Sequence, residues 1–313
     1  MSVPGRTPLL VVLRALKLGD LLTAVPALRA LARAYPGHHR VLAANAALAS
    51  LVELTGAVHD VVHTGELAPL APELHGADVA VNLHGRGPQS TALLEQTRPR
   101  RIIAFGAPGC PQWRPGEHER HRWCRLLSEA GLPADPDDFR LAPPAREAPP
   151  VARGATVLHP GASTGARRWP AERWAAVAAA EVGSGRPVVV TGSAVERPLA
   201  EQVAAAAGIP SCSVLAGRTD LLDLLAVVDA ADRVVCGDTG VAHVATALAV
   251  PSVVVFGPTS PAEWGPPTWG PHQALWAGQT GDALAEEPFP GLLDVSVADV
   301  LAALADLPQR CRS

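Results

Sequence analysis

Short apolar runs alternating with longer Ala/Leu-rich stretches at helical spacing constrain the fold of this 313-residue chain more than any other feature. A brief, continuous apolar run suits a strand buried on both faces. The stretch that follows it suits the crossover helix needed to reach a parallel neighbour. The pattern predicts an α/β protein throughout. Candidate strands in the first half are Leu9 to Leu13, Arg40 to Ala43, Asp60 to His63, Asp78 to Leu83 and Arg101 to Phe105, with helical stretches between them. In the second half Ala155 to His159, Pro187 to Thr191, Arg233 to Cys236 and Ser252 to Phe256 repeat the rhythm, with helices near 171–182, 194–207, 220–230 and 240–249.

The restart of the rhythm implies two similar sheets lying end to end. Between them, Leu141 to Ala155 carries Pro143, Pro144, Pro149 and Pro150 among Arg and Glu without an apolar period, as an interdomain linker does. The domains are therefore expected at 1–150 and 151–313, each long enough to bury its own core. The helical stretch Ser296 to Leu307 is a candidate for packing across the seam.

A formal charge of −4 leaves no global basic field, which argues against nucleic acid as the main partner. Cys110, Cys124, Cys212, Cys236 and Cys311 are scattered and never spaced as paired metal ligands, so neither a disulfide framework nor a metal site is expected. A reducing cytosol fits this cysteine usage. The run Leu9 to Leu13 is far shorter than the roughly 20 residues of a membrane helix, and Met1 to Pro8 does not read as a signal peptide. The expected location is cytoplasmic or peripheral at the inner membrane face, with no integral membrane segment.

Open α/β sheets bind ligands beyond the carboxyl ends of their strands, where helix N-termini offer backbone N–H groups to anions. Two such loops stand out. Leu18-Gly19-Asp20 follows the first strand, and Gly237-Asp238-Thr239-Gly240 follows Arg233 to Cys236 and opens a small apolar helix containing His243. On position alone Asp20 reads first as a helix cap, and Asp238 as readily a cap as a ligand.

Four segments together resemble the heptosyltransferases of glycosyltransferase family nine. They are Val11 to Leu31 with its Gly-Asp step; His159-Pro160-Gly161-Ala162-Ser163 with Arg167-Arg168-Trp169-Pro170 and Arg173-Trp174; Val188 to Glu196; and Ala216-Gly217-Arg218-Thr219 running through Cys236 to Gly240 and His243 to Phe256-Gly257-Pro258-Thr259 and Trp264-Gly265-Pro266. The resemblance implies a glycosyltransferase of the B type, with two Rossmann-like domains facing across a cleft. The N-terminal domain would hold the acceptor and the C-terminal one the nucleotide-diphosphate sugar. The reaction it implies inverts the anomeric carbon and uses neither metal nor cofactor.

By the same resemblance Asp20 is the base that takes the acceptor hydroxyl's proton. Ser163, Arg167, Glu196, Asp238, Thr239, Gly240 and His243 line the donor site. Arg167 stands where the family usually has lysine. A guanidinium keeps the charge but changes the geometry at the diphosphate, and the adjacent Arg168 is the competing contact. Glu196 would take the donor ribose, Asp238 the sugar hydroxyls, and the Thr239 and Gly240 amides the phosphates. Lys17, the chain's sole lysine, and Arg86 are candidates for gripping a charged acceptor. The cluster Arg120, His121, Arg122 and Arg125 reads as a solvated helix face. ADP-heptose and a lipopolysaccharide core are the first donor and acceptor implied. The departures at Lys17 and Arg167 leave other sugars and glycan, glycolipid or small-molecule acceptors open.

Rival readings are weaker. Gly161-Ala162-Ser163-Thr164-Gly165 fits the nucleophile elbow of serine hydrolases, with Asp229 and His243 following in a permitted order. However, Pro160 and Trp169-Pro170 oppose the direct strand-to-helix turn an elbow needs. His118-Glu119-Arg120-His121 lacks the spacing of a zinc-protease motif, and no G-x-G-x-x-G follows a strand. A sugar-nucleotide binding protein or epimerase on the same scaffold is the third reading. Asp20 beside the donor motifs argues against a purely binding role.

Overall fold

All nine expected strands form, and each lies parallel to its neighbours. The computed structural model describes residues 6–310, which divide into two units, the first ending at Phe139 and the second beginning at Arg140.

The first unit runs β1 (Leu9–Leu13), α1 (Leu18–Ala34), β2 (His39–Ala44), α2 (Ala49–Leu54), β3 (Asp60–His63), β4 (Val79–Asn82), α3 (Gln89–Gln96), β5 (Arg101–Ile103) and α4 (Glu119–Glu129). Its sheet has the order β3-β2-β1-β4-β5. Every side chain of β1 and β4 is buried, as parallel strands covered on both faces require. Leu9, Val11, Leu13, Val41, Ala80 and Leu94 belong to one core cluster there.

The second unit runs β6 (Thr156–His159), α5 (Ala171–Gly183), β7 (Val188–Val190), α6 (Arg197–Ala206), α7 (Leu221–Ala230), β8 (Arg233–Gly237), α8 (Gly240–Ala247), β9 (Ser252–Val255), α9 (Pro261–Trp264), β10 (His272–Leu275), α10 (Pro290–Leu293) and α11 (Val297–Ala305). Its sheet order is β10-β9-β8-β6-β7. The Trp169 and Trp174 rings meet edge to face at 4.8 Å in its core, and Trp169 Nε1 donates to the Val295 carbonyl at 3.0 Å.

Each sheet reverses its winding once. In the first, successive connections move outward from β1 through β2 to β3, and the chain then crosses to β4 and β5 on the other side. The reversal in the second lies between β6 and β8. These switch points open crevices at the carboxyl ends of β1 and β4, and of β6 and β8, where doubly wound sheets bind ligands.

Two expectations change, and the final helix is seen packing within its own unit. The division falls ahead of the Pro-rich stretch, because the Leu141 N–H is bonded to the Ala247 carbonyl at 3.0 Å and Arg140 Nη1 to that of Thr246 at 2.9 Å, which ties both residues into the second unit. The final helix, α11, commits its buried face, Val300, Ala303 and Leu304, to the second unit's own core. The arginine cluster on α4 is not a solvated face. Arg120 and Arg122 are buried, the first with its guanidinium 4.3 Å from the Phe139 ring and the second paired with Glu119, while Arg125 Nε donates to Glu117 at 2.7 Å. Of the four, only His121 is exposed. No helix among the described residues is long and apolar enough to cross a membrane.

Candidate functional site

The loop after β1 carries Asp20 to the first switch point. Asp20 is the third residue of α1, and its Oδ2 accepts from the Lys17 N–H at 3.2 Å, so the carboxylate satisfies one donor of the helix start. Its side chain keeps about a fifth of its surface open, at 22%. Beneath it lies Arg14, whose Nη2 is 3.6 Å from Asp20 Oδ1.

Across the crevice His84 follows β4. The Ala15 N–H donates to its Nδ1 at 3.2 Å, which puts the proton of a neutral ring on Nε2. Burial, and then the Arg14 charge, hold this imidazole below its ordinary pKa, so the ring is neutral at pH 7. Lys17 and Arg86 are both exposed. Arg86 also lines a groove of about 700 Å³ shared with Glu95, Phe105, Gln112 and Trp113.

The second switch point gathers most of the remaining candidates. After β6 the chain runs through Gly161 and Ser163 to a short turn at Gly165–Arg167. Arg167 then points back across the sheet end, its Nη1 3.5 Å from Asp238 Oδ2 and its Nη2 donating to Thr259 Oγ1 at 3.2 Å. After β8, Asp238 is buried, Thr239 is the extended N-cap of α8, and Gly240 is that helix's first residue. Burial pushes the Asp238 carboxyl above the usual carboxylate range, against the pull of Arg167 and a Thr259 hydrogen bond. Asp238 Oδ2 and Arg167 Nε, both buried, have no hydrogen-bond partner within the protein. His243 lies one turn along α8, its ring 6.1 Å from that of Trp264. Arg168 is exposed, and its Nε donates to the Ala162 carbonyl at 3.3 Å. Arg167, not Arg168, therefore stands beside the start of α8.

Glu196 occupies the same end of the sheet, at the head of α6. Its Oε2 accepts from the Ser193 N–H at 2.7 Å, and its carboxylate presses on Gly161. A Cβ at Gly161 would collide with the Glu196 carboxylate, so glycine is what lets that carboxylate keep this position. Burial raises the Glu196 pKa, but the backbone and hydroxyl bonds from Ser193 together with the His159 and Arg168 charges outweigh it and leave the carboxyl below its ordinary value. His159, ending β6, is buried with Nδ1 3.0 Å from Thr191 Oγ1, and burial lowers its pKa.

The hydrolase constellation does not form. β6 ends at His159 and α5 begins only at Ala171, so Ser163 sits in an exposed loop and not on a strand-to-helix elbow. Asp229 has its Oδ1 held by Arg310 Nη2 at 2.8 Å. His118 and Glu119 serve α4, His118 as its N-cap and Glu119 as an internal counter-charge. Cys110, Cys124, Cys212 and Cys236 are free thiols, and Cys311 lies outside the described residues. Burial pushes the Cys124 thiol up to about 12, which removes it from thiolate chemistry.

Residues 115–283 match the model of glycosyltransferase family 9 (heptosyltransferase), more than half of the chain. The chain belongs to that family. Among relatives of this family 9 chain, lipopolysaccharide heptosyltransferase 2 of Escherichia coli K12 is 35% identical over 157 residues, covering 46% of this chain and 44% of that one. Lipooligosaccharide heptosyltransferase 2 of Haemophilus influenzae is 35% identical over 114 residues, 34% of this chain and 32% of that one. The chain thus spans less than half the length of these curated relatives in the matched stretches. Among solved structures, a glycosyltransferase family 9 protein from Veillonella parvula superposes with a TM-score of 0.77 at 18% identity, over 97% of this chain and 98% of that one. Escherichia coli ADP-heptose lipopolysaccharide heptosyltransferase II gives 0.74 at 20% identity, over 95% and 97%. At these identities the likeness establishes the fold, that of the B-type glycosyltransferases.

Within this family 9 fold, Asp20 sits at one switch point, and Arg167, Asp238, Thr239, Gly240 and His243 at the other with Glu196 beside them. Arg14, His84 and Thr259 belong to these sites without having been singled out in the sequence, as does Glu119, which had entered only inside the rejected His118-Glu119-Arg120-His121 motif. Thr259 ends the Phe256-Gly257-Pro258-Thr259 segment, a signal in reach. The other three are bonded to partners far away in the chain, and no local pattern announces them.

Proposed function

We propose that this chain is an inverting, metal-independent glycosyltransferase that moves a sugar from a nucleotide-diphosphate donor, ADP-heptose first among them, to an acceptor hydroxyl. The observation that carries the reading is the second switch point. There a half-buried guanidinium, Arg167, stands beside the N-terminus of α8 with a buried carboxylate, Asp238, between them. Its relatives' names support the donor, and an Escherichia coli heptosyltransferase of similar fold was solved with ADP.

In this reading Asp20 accepts the hydroxyl proton as the acceptor oxygen attacks the anomeric carbon, and the bond from that carbon to the diphosphate oxygen breaks on the opposite face. The departing diphosphate gathers negative charge. Arg167 and the backbone N–H groups opening α8 meet it with fixed positive charge and dipoles, the compensation that a cation supplies elsewhere. Asp238 holds Arg167 in place and offers its otherwise unpartnered Oδ2 to sugar hydroxyls. Glu196, kept ionised by Ser193, accepts the two ribose hydroxyls. Ser163 and His243 complete the donor's surroundings. Lys17 and Arg86 are exposed cations near Asp20's end of the first sheet, suited to an acidic glycan or glycolipid acceptor. A glycolipid acceptor would place the protein peripherally at the inner membrane face.

Turnover of ADP-heptose with a heptose-deficient lipopolysaccharide core, assayed in excess EDTA, tests this reading. Transfer is expected to persist at its chelator-free rate. Complete loss restored by magnesium contradicts the metal-independent mechanism, and absence of any transfer under either condition contradicts this donor and acceptor.

A further inference from the structure

Arg14 closes the buried run of β1 and is 1% exposed. A guanidinium removed from water needs its N–H donors met and its charge balanced. Arg14 achieves both through groups that surround the first switch point. Its Nε donates to the Asp20 carbonyl at 2.8 Å, and its Nη1 to the carbonyl of Leu83, just past β4. Its Nη2 donates to Thr23 Oγ1 at 3.1 Å and to Glu119 Oε1 at 3.2 Å. The guanidinium lies 4.8 Å from the centre of the Trp123 ring, whose Nε1 also donates to Glu119 Oε1, at 2.9 Å. One side chain thereby joins both strand ends of the crevice to the first turn of α1.

Glu119, which is 5% exposed, is shared between Arg14 and Arg122, so its single charge cannot balance both guanidinia. The second carboxylate within reach of Arg14 is Asp20, whose Oδ1 lies 3.6 Å from Nη2. One guanidinium nitrogen is shared between two carboxylates, one deep in the protein and one at the crevice. The more strongly Glu119 holds that nitrogen, the less of its field falls on Asp20.

We infer that Arg14 is a positioning residue for Asp20 and that Glu119 tunes it. Arg14 aims the carboxylate through the backbone and side-chain contacts of α1's first turn, and Glu119 draws off enough of the positive field to leave Asp20 a competent proton acceptor. The inference rests on the reading of Asp20 as the base. The charged and titratable groups that act on Asp20 directly are Arg14 after β1 and His84 after β4; Lys17 offers its backbone N–H ahead of α1, and Glu119 and Arg122 of α4 reach it through Arg14. Glu66 also acts on His84. Removing the Arg14 charge destabilises the Asp20 carboxylate and raises its titration midpoint. Neutralising Glu119 leaves Arg14 and Arg122 uncompensated and lowers it.

The test is the pH titration of the Asp20 carboxyl carbon by NMR, assigned by its loss in Asp20→Asn, on the full chain as wild type, Arg14→Gln and Glu119→Gln. The pH profile of kcat/KM for transfer from ADP-heptose is measured alongside. The midpoint is expected to rise in Arg14→Gln, which loses the cation 3.6 Å from the carboxylate, and to fall in Glu119→Gln. The acid limb of kcat/KM is expected to move with it. Because Arg14→Gln removes a buried hub and risks misfolding, the near-isosteric Glu119→Gln decides the matter alone if necessary. An Asp20 midpoint unchanged in the folded variants overturns the inference and leaves Arg14 a structural residue. If the midpoints shift but Asp20→Asn keeps its transfer rate, the reading of Asp20 as base fails instead.

Discussion

Asp20→Asn is expected to reduce single-turnover sugar transfer by roughly 10²–10⁴-fold, the usual worth of a positioned base, while calorimetric affinity for the sugar nucleotide stays near wild type. Asparagine keeps the shape of the side chain and can still accept from the Lys17 N–H, so α1 retains its cap and the fold survives. What is lost is the ability to take a proton. Donor affinity is the discriminating half of the pair, because Asp20 belongs to the first unit whereas Arg167, Glu196 and Asp238 belong to the second. Near-normal single-turnover rates would make Asp20 a helix cap only. Lost donor binding in a folded variant would refute the division of roles between the units.

Arg167→Ala is the second large effect expected. It removes the cation beside the start of α8, so donor binding and leaving-group stabilisation fall together. The expected loss in kcat/KM is roughly 10²–10³-fold, as for other preorganised donors aimed at developing charge. It also strands the buried Asp238 carboxyl, already raised by burial, without its partner. Arg168→Ala, which removes an exposed side chain bonded to one carbonyl, is expected to cost far less. Steady-state kinetics of the two variants side by side check this, and equal small losses would move the phosphate contact elsewhere.

The strands were legible because parallel strands covered on both faces leave an uninterrupted apolar record, as Leu9–Leu13 and Val188–Val190 do. β10 was not. It reads His-Gln-Ala-Leu, sits at the sheet edge, and is only partly buried, so neither apolarity nor alternation marks it. The loops at the switch points were legible because Gly237-Asp238 closes the apolar run of β8 and Gly19-Asp20 opens the helix that follows β1, although on position alone either Asp could have been a helix cap. The groups behind Asp20 left no such record. Arg14 meets Leu83 across 69 residues and Glu119 across 105, and each looks ordinary in its own neighbourhood. The arginines of α4 misled in the opposite direction. A run of charges on one helix reads as a wet face until Glu119, Glu117 and the Phe139 and Trp113 rings are seen to take them up.

The central claim is direct displacement at the anomeric carbon by an acceptor oxygen, and the most direct measurement is the configuration of the transferred sugar. Wild-type protein is incubated with ADP-heptose of defined anomeric configuration and a heptose-deficient lipopolysaccharide core. The product linkage is then read by NMR from the anomeric coupling, with released ADP quantified in the same sample. The account predicts one ADP released per sugar transferred and inversion of the anomeric centre. Retention of configuration, or ADP release without a glycosidic product, would contradict it.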